Sequence, residues 1–193
     1  MQLPQPSLFE ADPRLPLGFV HQPEVLSQAE ADELVDKLAD LNFEPFRFRG
    51  FVGRREVVSF GWRYDFDRGK LLEADQIPAF LEPARRIAAS FAGLAPDALG
   101  QVLINRYAAG AGIGWHRDRP QFEDVVALSL GARGVLRFRR RRGSGWERVS
   151  VAVEPRSAYL LRGPSRTEWE HSLPEVDALR FSITFRTLRR PVV

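Results

Sequence analysis

No cysteine occurs among the 193 residues, so disulfides and thiolate metal sites are excluded, and any bound metal must be held through nitrogen or oxygen. Lysine is nearly missing too: of 28 basic residues only Lys37 and Lys70 are lysines, and arginine supplies the rest. Arginine's planar fork suits bidentate contact with phosphate or carboxylate, although GC-rich coding alone also favours it over lysine. Histidine is scarce, with His21, His116 and His171 the whole supply. No apolar run is long enough to span a membrane, and the proline-bearing start, Met1 to Leu17, has no basic stretch leading into an apolar one. A cytoplasmic, monomeric protein with no membrane partner is expected.

What is present fits one globular domain, 1–193, since 44% of the residues are hydrophobic. Residues 1–22 read as an irregular surface strap anchored by Leu8, Phe9, Leu15 and Phe19, with His21 a surface or packing residue. Ser27-Gln28-Ala29-Glu30 is a capping box, and Ala31, Leu34, Val35, Leu38 and Leu41 follow at helical spacing, predicting a helix over 28–41. A second helix is expected over 83–91, with Pro83 in its first turn. Between them, from Phe43 to Phe66, aromatic residues alternate with arginines, the pattern of strands in a hairpin closed at Gly50 or Gly53. Interleaved rings and guanidinium groups suit the stacking of unpaired bases and the tracking of their backbone; a half-buried sheet with a solvated basic face is the plainer reading of each residue alone. Apolar and alternating runs after residue 100, with a long hairpin whose tip holds Arg139 to Arg142, bring the strands to about eight. Two or three helices ahead of these strands predict an α+β protein built as a double-sheet roll. The four arginines at the hairpin tip form either a solvated face or a phosphate contact.

Two constellations carry chemistry. Leu103 to Tyr107 reads as a strand that runs through Gly110, Gly112 and Gly114 into His116-Arg117-Asp118, and residues at i and i+2 point to the same side of extended chain. His116 and Asp118 can therefore approach one ion together, and His171 can complete the set. Two histidines and one carboxylate on one face of an octahedral metal, with the opposite positions open, is the ligand set of non-heme Fe(II) oxygenases. In the last strand Arg180, Ser182, Thr184 and Arg186 share one face while Phe181, Ile183 and Phe185 share the other. Two arginines on the inner face of a core strand call for anions, and a dicarboxylate meets that need; pairing with Asp or Glu on a solvated face would meet it as well. Asn105 and Tyr107 add neutral donors on the central strand.

Taken together, N-x-Y, H-x-D, W-x-H-S-L-P and R-x-S-x-T-F-R resemble the AlkB family of Fe(II)/2-oxoglutarate dioxygenases over about residues 43 to 188. The resemblance implies a double-stranded β-helix (jelly-roll) core with N-terminal supporting helices, and Fe(II) held by His116, Asp118 and His171. It also implies 2-oxoglutarate held by Asn105, Tyr107, Arg180, Ser182 and Arg186, and an aromatic, basic lid hairpin over 43–68 in which Trp62, Tyr64 and Phe66 stack on a nucleobase. The implied activity is oxidative demethylation of N-alkylated bases in single-stranded or damaged DNA or RNA, releasing formaldehyde, succinate and CO2. A base must leave its stack for this, most easily from single strands. Two positions depart from the family pattern. Pro120 stands where many DNA-repair members carry an acidic residue that accepts from the base, and Ser182 stands where Asn is common. A dioxygenase of the same fold acting on tRNA or on a protein side chain is the alternative. A binding module without catalysis would not need the intact metal set and both arginines, and a hydrolytic zinc site would leave the arginine face without an anion.

Overall fold

The computed structural model describes residues 14–48, 50–66 and 68–189. In chain order, β1 (Phe19–Gln22) and α1 (Gln28–Ala39) precede two hairpins, β2 (Glu44–Phe48) with β3 (Phe51–Phe60) and β4 (Trp62–Asp65) with β5 (Lys70–Glu73). Next come α2 (Glu82–Ala92), β6 (Gln101–Tyr107), β7 (Ile113–His116), β8 (Phe122–Gly131), β9 (Gly134–Arg142) and β10 (Gly145–Val153). The chain then continues through β11 (Ala158–Leu161), α3 (Pro164–Thr167), β12 (Glu170–Leu173) and β13 (Arg180–Leu188). The strands form a seven-stranded sheet ordered β1-β11-β8-β13-β6-β3-β2, a four-stranded sheet ordered β10-β9-β12-β7, and the separate β4-β5 ribbon. All pairings are antiparallel, as a jelly roll requires.

Alternation along the central strands divides the protein into layers. Phe181, Ile183 and Phe185 of β13, with Val102 and Ile104 of β6 and Val126, Leu128 and Leu130 of β8, join the apolar faces of α1 and α2 in one core. Each such buried side chain contributes roughly 1.5–3 kcal/mol of transfer free energy, which is what fastens the helices to the large sheet. The opposite faces of those strands meet the four-stranded sheet around Leu136, Phe138, Val153, Leu161 and Leu173. Arg180, Ser182, Thr184 and Arg186 lie buried on that inner side, between the sheets, and not on a solvated face.

Local signals in the sequence set several element ends. The Ser27 side chain accepts from the Glu30 amide while the Glu30 carboxylate accepts from the Ser27 amide, so the capping box starts α1 where expected, and α1 ends at Ala39. Gly93 caps α2 in the left-handed conformation, and the helix ends at Ala92, one residue past the expected end. The β2–β3 hairpin turns beside Gly50, with Phe48 opposite Phe51, while Gly53 lies inside β3.

The strap differs from its expected form. Residues 19–22 are a strand, β1, paired with β11 from Phe19 opposite Leu161 to Gln22 opposite Ala158. Phe19 is buried, packed edge-on to Phe138 with ring centroids 4.9 Å apart. A free strand edge on β11 and an apolar ring with a core to enter draw this segment into the sheet. The anchors Leu8 and Phe9 lie outside the described residues. No helix among the described residues is long and apolar enough to cross a membrane.

Candidate metal and dicarboxylate site

His116 ends β7 and His171 lies directly opposite it on β12, which brings the two imidazole centroids to 4.2 Å. Asp118 follows two residues after His116, and its Oδ2 lies 3.6 Å from Nε2 of His171. One ligand atom from each of the three can be chosen so that all lie within 4.8 Å of one another. The Gly114 carbonyl oxygen lies 2.9 Å from Nδ1 of His116, which leaves its Nε2 lone pair free for the centre. Burial pushes His116 below its ordinary value, and burial followed by the neighbouring His116 pushes His171 down to about 3. Both rings are therefore neutral near pH 7, the form that ligates metal. Burial would raise the Asp118 carboxyl, but the Arg186 guanidinium beside it holds it well below the usual carboxylate range. A donor set of two neutral imidazoles and one carboxylate fits an Fe(II) ion with open positions.

The glycines before His116 let this segment pass close to its neighbour. A Cβ built on Gly112 would lie 2.7 Å from the Leu173 carbonyl oxygen and 2.8 Å from the Pro174 carbonyl carbon, so no larger residue fits against the end of the strand carrying His171.

β13 and β6 run side by side with Arg180 opposite Tyr107, Ser182 opposite Asn105 and Arg186 opposite Gln101, so four of the five proposed cofactor contacts pair directly and the fifth lies on the same strand. Arg180 is 1% exposed; its Nη1 donates to the Ala132 carbonyl at 2.9 Å and its Nη2 to the Ser129 hydroxyl at 2.8 Å, while its buried Nε has no partner among the described residues. Arg186 donates through Nη2 and Nε to Oδ1 of Asp118 at 2.8 and 3.1 Å, and through Nη1 to Oε1 of Gln101 at 2.9 Å. A buried orphan donor on one arginine, and on the other a guanidinium whose one carboxylate partner is the metal-facing Asp118, fit a dicarboxylate lying between them.

Both residue groups open onto one cavity of about 1620 Å³. Tyr64 and Phe66 line it, whereas Trp62 is not among its lining residues. Phe46 and Phe48 from β2 stand in its place: both meet Phe66 edge-on, with centroids 5.4 and 5.3 Å away, and Tyr64 meets Phe66 at 5.1 Å. Sequence reasoning passed over Gln101, although it sits on the inward face of β6 at the same period-two spacing as Asn105 and Tyr107. It passed over Arg55 and Tyr159 as well. Tyr159 lines the cavity, and burial raises its hydroxyl to about 12. In the β9–β10 hairpin, Arg139 is paired with Glu170 and Arg140 with Glu147 and Glu168, while Arg141 covers the Trp146 ring at 4.7 Å.

Comparison with known proteins agrees with this geometry. A family model described as the 2OG-Fe(II) oxygenase superfamily matches residues 18–186. An Arabidopsis thaliana protein named "Alkylated DNA repair protein ALKBH8 homolog" is 27% identical over 214 residues, covering 95% of this chain and 59% of the relative. Human "DNA oxidative demethylase ALKBH2" is 29% identical over 192 residues, covering 85% of this chain and 71% of the relative. A Xenopus tropicalis "tRNA (carboxymethyluridine(34)-5-O)-methyltransferase alkbh8" is 28% identical over 168 residues, and there the match covers 26% of the relative. The solved structure of OsALKBH1 superposes with a TM-score of 0.66 at 18% identity, over 90% of this chain and 97% of that one. A Pseudomonas putida prolyl-4-hydroxylase superposes at 0.61 and 16% identity, over 89% and 93%, so the roll is common to both. The chain belongs to the 2OG-Fe(II) oxygenase superfamily, as an AlkB-family dioxygenase that works with Fe(II) and 2-oxoglutarate.

Proposed function

We propose that this enzyme oxidatively dealkylates N-alkylated bases in single-stranded DNA or RNA. The observation that carries the reading is the meeting, in one cavity, of a two-histidine, one-carboxylate set with a cluster of rings and guanidinium groups. His116, Asp118 and His171 hold the iron; Arg180 and Arg186 each take one carboxylate of 2-oxoglutarate, with Asn105, Tyr107 and Ser182 beside them. Bound together, Fe(II) and 2-oxoglutarate supply the oxidising power by which O2 and the cofactor give succinate, CO2 and one oxygen atom inserted into a C–H bond.

The protein's own part is positioning. Arg186 is fixed on Asp118 and Gln101, so a cofactor carboxylate held by the same guanidinium would be set relative to the metal carboxylate. Tyr64 and Phe66, with Phe46 and Phe48, offer ring faces on which an extruded base stacks with its alkyl group toward the histidines. Insertion into an N-methyl group gives an N-hydroxymethyl base; its C–N bond then breaks, the hydroxyl proton passes to the base nitrogen, and formaldehyde leaves. The Arg–aromatic composition of 43–68 and the relatives named for DNA demethylation support nucleic acid as the polymer.

A second reading keeps the same chemistry on tRNA or on a protein side chain. Pro120, which offers no side-chain acceptor to a base, and the two ALKBH8-named relatives favour keeping tRNA in the test. Mass spectrometry of methylated DNA, RNA and tRNA-loop oligonucleotides after incubation with iron-loaded protein and 2-oxoglutarate separates the two.

A further inference from the structure

Arg55 is a buried guanidinium that forms no ion pair among the described residues. It lies on β3, is 7% exposed and lines the cavity. Its Nε donates to Oδ1 of Asn105 at 3.0 Å, and its plane rests on the Phe46 ring, 3.7 Å from the centroid. Among the described residues no carboxylate lies within ion-pair distance of it, and neither terminal nitrogen donates to a protein group. Its terminal nitrogens face the cavity, and a cation mostly withdrawn from bulk water gains from an acceptor that arrives there with a ligand. On the dealkylase reading, Arg180 and Arg186 already account for the two carboxylates of 2-oxoglutarate. Arg55 is the arginine left over, and Phe46 joins it to the ring cluster on which the base would lie.

The surroundings make that part of the cavity hostile to a second positive charge. The Arg119 guanidinium covers Phe66 at 4.7 Å and Tyr64 at 4.8 Å. Its loop is tied down from behind, because buried Arg166 donates to the carbonyls of Arg119 and Phe122. Nine lining residues are arginines and five are carboxylates, and of the five only Asp118 is withdrawn from solvent, where Arg186 engages it. Pro120, next to Arg119, provides no side-chain acceptor.

We infer that Arg55 is a specificity-determining residue, and that the base it selects is uncharged with a carbonyl oxygen on its alkylated edge. Methylation at N3 of thymine or uracil, or at N1 of guanine, leaves a neutral base with at least one carbonyl oxygen beside the methyl group. Methylation of N1 of adenine or N3 of cytosine makes a cation with no such oxygen at the adenine edge and one at the cytosine edge. The Arg55 terminal nitrogens meet the carbonyl of the first class and repel the charge of the second. This inference rests on the dealkylase reading and deepens it.

The test compares kcat/KM of the iron-loaded enzyme on matched single-stranded oligonucleotides carrying 3-methylthymine, 1-methylguanine, 1-methyladenine or 3-methylcytosine. We expect the two neutral bases to lead by roughly tenfold or more, the worth of one charge-assisted hydrogen bond. Arg55→Gln should remove most of that lead by raising the oligonucleotide KM, with any rise in the 2-oxoglutarate KM, through the lost Asn105 contact, smaller than the rise for the oligonucleotide. Arg55→Lys, which keeps the charge, should retain discrimination against the cations; retained binding of Fe(II) and 2-oxoglutarate, read from their visible charge-transfer band, shows each variant folded. Preference of the wild type for the cationic bases overturns the inference while leaving dealkylation standing, and so does an Arg55→Gln effect confined to the 2-oxoglutarate KM. Dealkylation of none of the four by enzyme that turns over 2-oxoglutarate overturns the dealkylase reading and this inference with it.

Discussion

Arg186 grips Asp118 through two nitrogens, Nη2 at 2.8 Å and Nε at 3.1 Å from the same carboxylate oxygen, Oδ1, while Oδ2 faces His171. One carboxylate thus divides its oxygens between the arginine and the metal-facing side. Asp118→Ala should therefore do two things: empty the metal site and strand a buried guanidinium, a loss of about 3–5 kcal/mol when one partner of a buried pair is removed. Added Mn(II) or Fe(II) should raise the melting temperature of the wild type and leave that of the variant unmoved. A metal-dependent shift in the variant equal to wild type would contradict the ligand assignment.

Changing either inner arginine to lysine keeps the charge and loses the fork. Arg180→Lys and Arg186→Lys should each raise the 2-oxoglutarate KM by roughly tenfold or more, the worth of a lost charge-assisted hydrogen bond. The Arg186 variant should also weaken metal affinity, because Asp118 loses its brace, whereas the Arg180 variant should not. Titration of metal and cofactor separately distinguishes these outcomes.

Removing a ring from the cavity wall should affect only the polymer substrate. Tyr64→Ala or Phe66→Ala should cost roughly 1–3 kcal/mol of oligonucleotide binding with iron and 2-oxoglutarate binding retained. Trp62→Ala, outside the lining, should cost much less. Fluorescence anisotropy with a labelled single-stranded oligonucleotide reads the difference, and an equal loss in all three would place the base elsewhere.

Gly112→Ala tests the seam between the glycine segment and the strand carrying His171. The added methyl would meet the backbone at Leu173 and Pro174, 2.7 and 2.8 Å away, so one strand must shift. Overpacking of this kind costs roughly 1–3 kcal/mol. The expected result is a lower melting temperature together with weaker metal affinity; a loss of stability with metal affinity intact would mean that the shift does not reach His171.

Local patterns in the sequence account for much of this. Period-two alternation in β13 sorts Phe181, Ile183 and Phe185 from Arg180, Ser182 and Arg186, and the structure puts the first group in the helix-covered core and the second between the sheets. The capping box at Ser27 fixes a helix start because cap and partner lie three residues apart. What was hidden depends on distant pairing. β1 has four residues and becomes a strand through the free edge of β11. Arg55 reaches Asn105 only because β3 lies beside β6 in a particular register, with Val57 opposite Asn105. Likewise Phe46 and Phe48, read only as part of an alternating stretch, reach Phe66 because two separate hairpins pack together.

The most direct measurement of the dealkylase account is mass spectrometry of methylated single-stranded DNA and RNA oligonucleotides after incubation with the iron-loaded protein, O2 and 2-oxoglutarate, with formaldehyde and succinate measured in the same reaction. The account predicts loss of the methyl group with one formaldehyde and one succinate for each group lost, and no loss with Asp118→Ala. Methyl groups left intact by wild-type enzyme whose iron site is full, with no stimulation of succinate formation by any of the oligonucleotides, would contradict it.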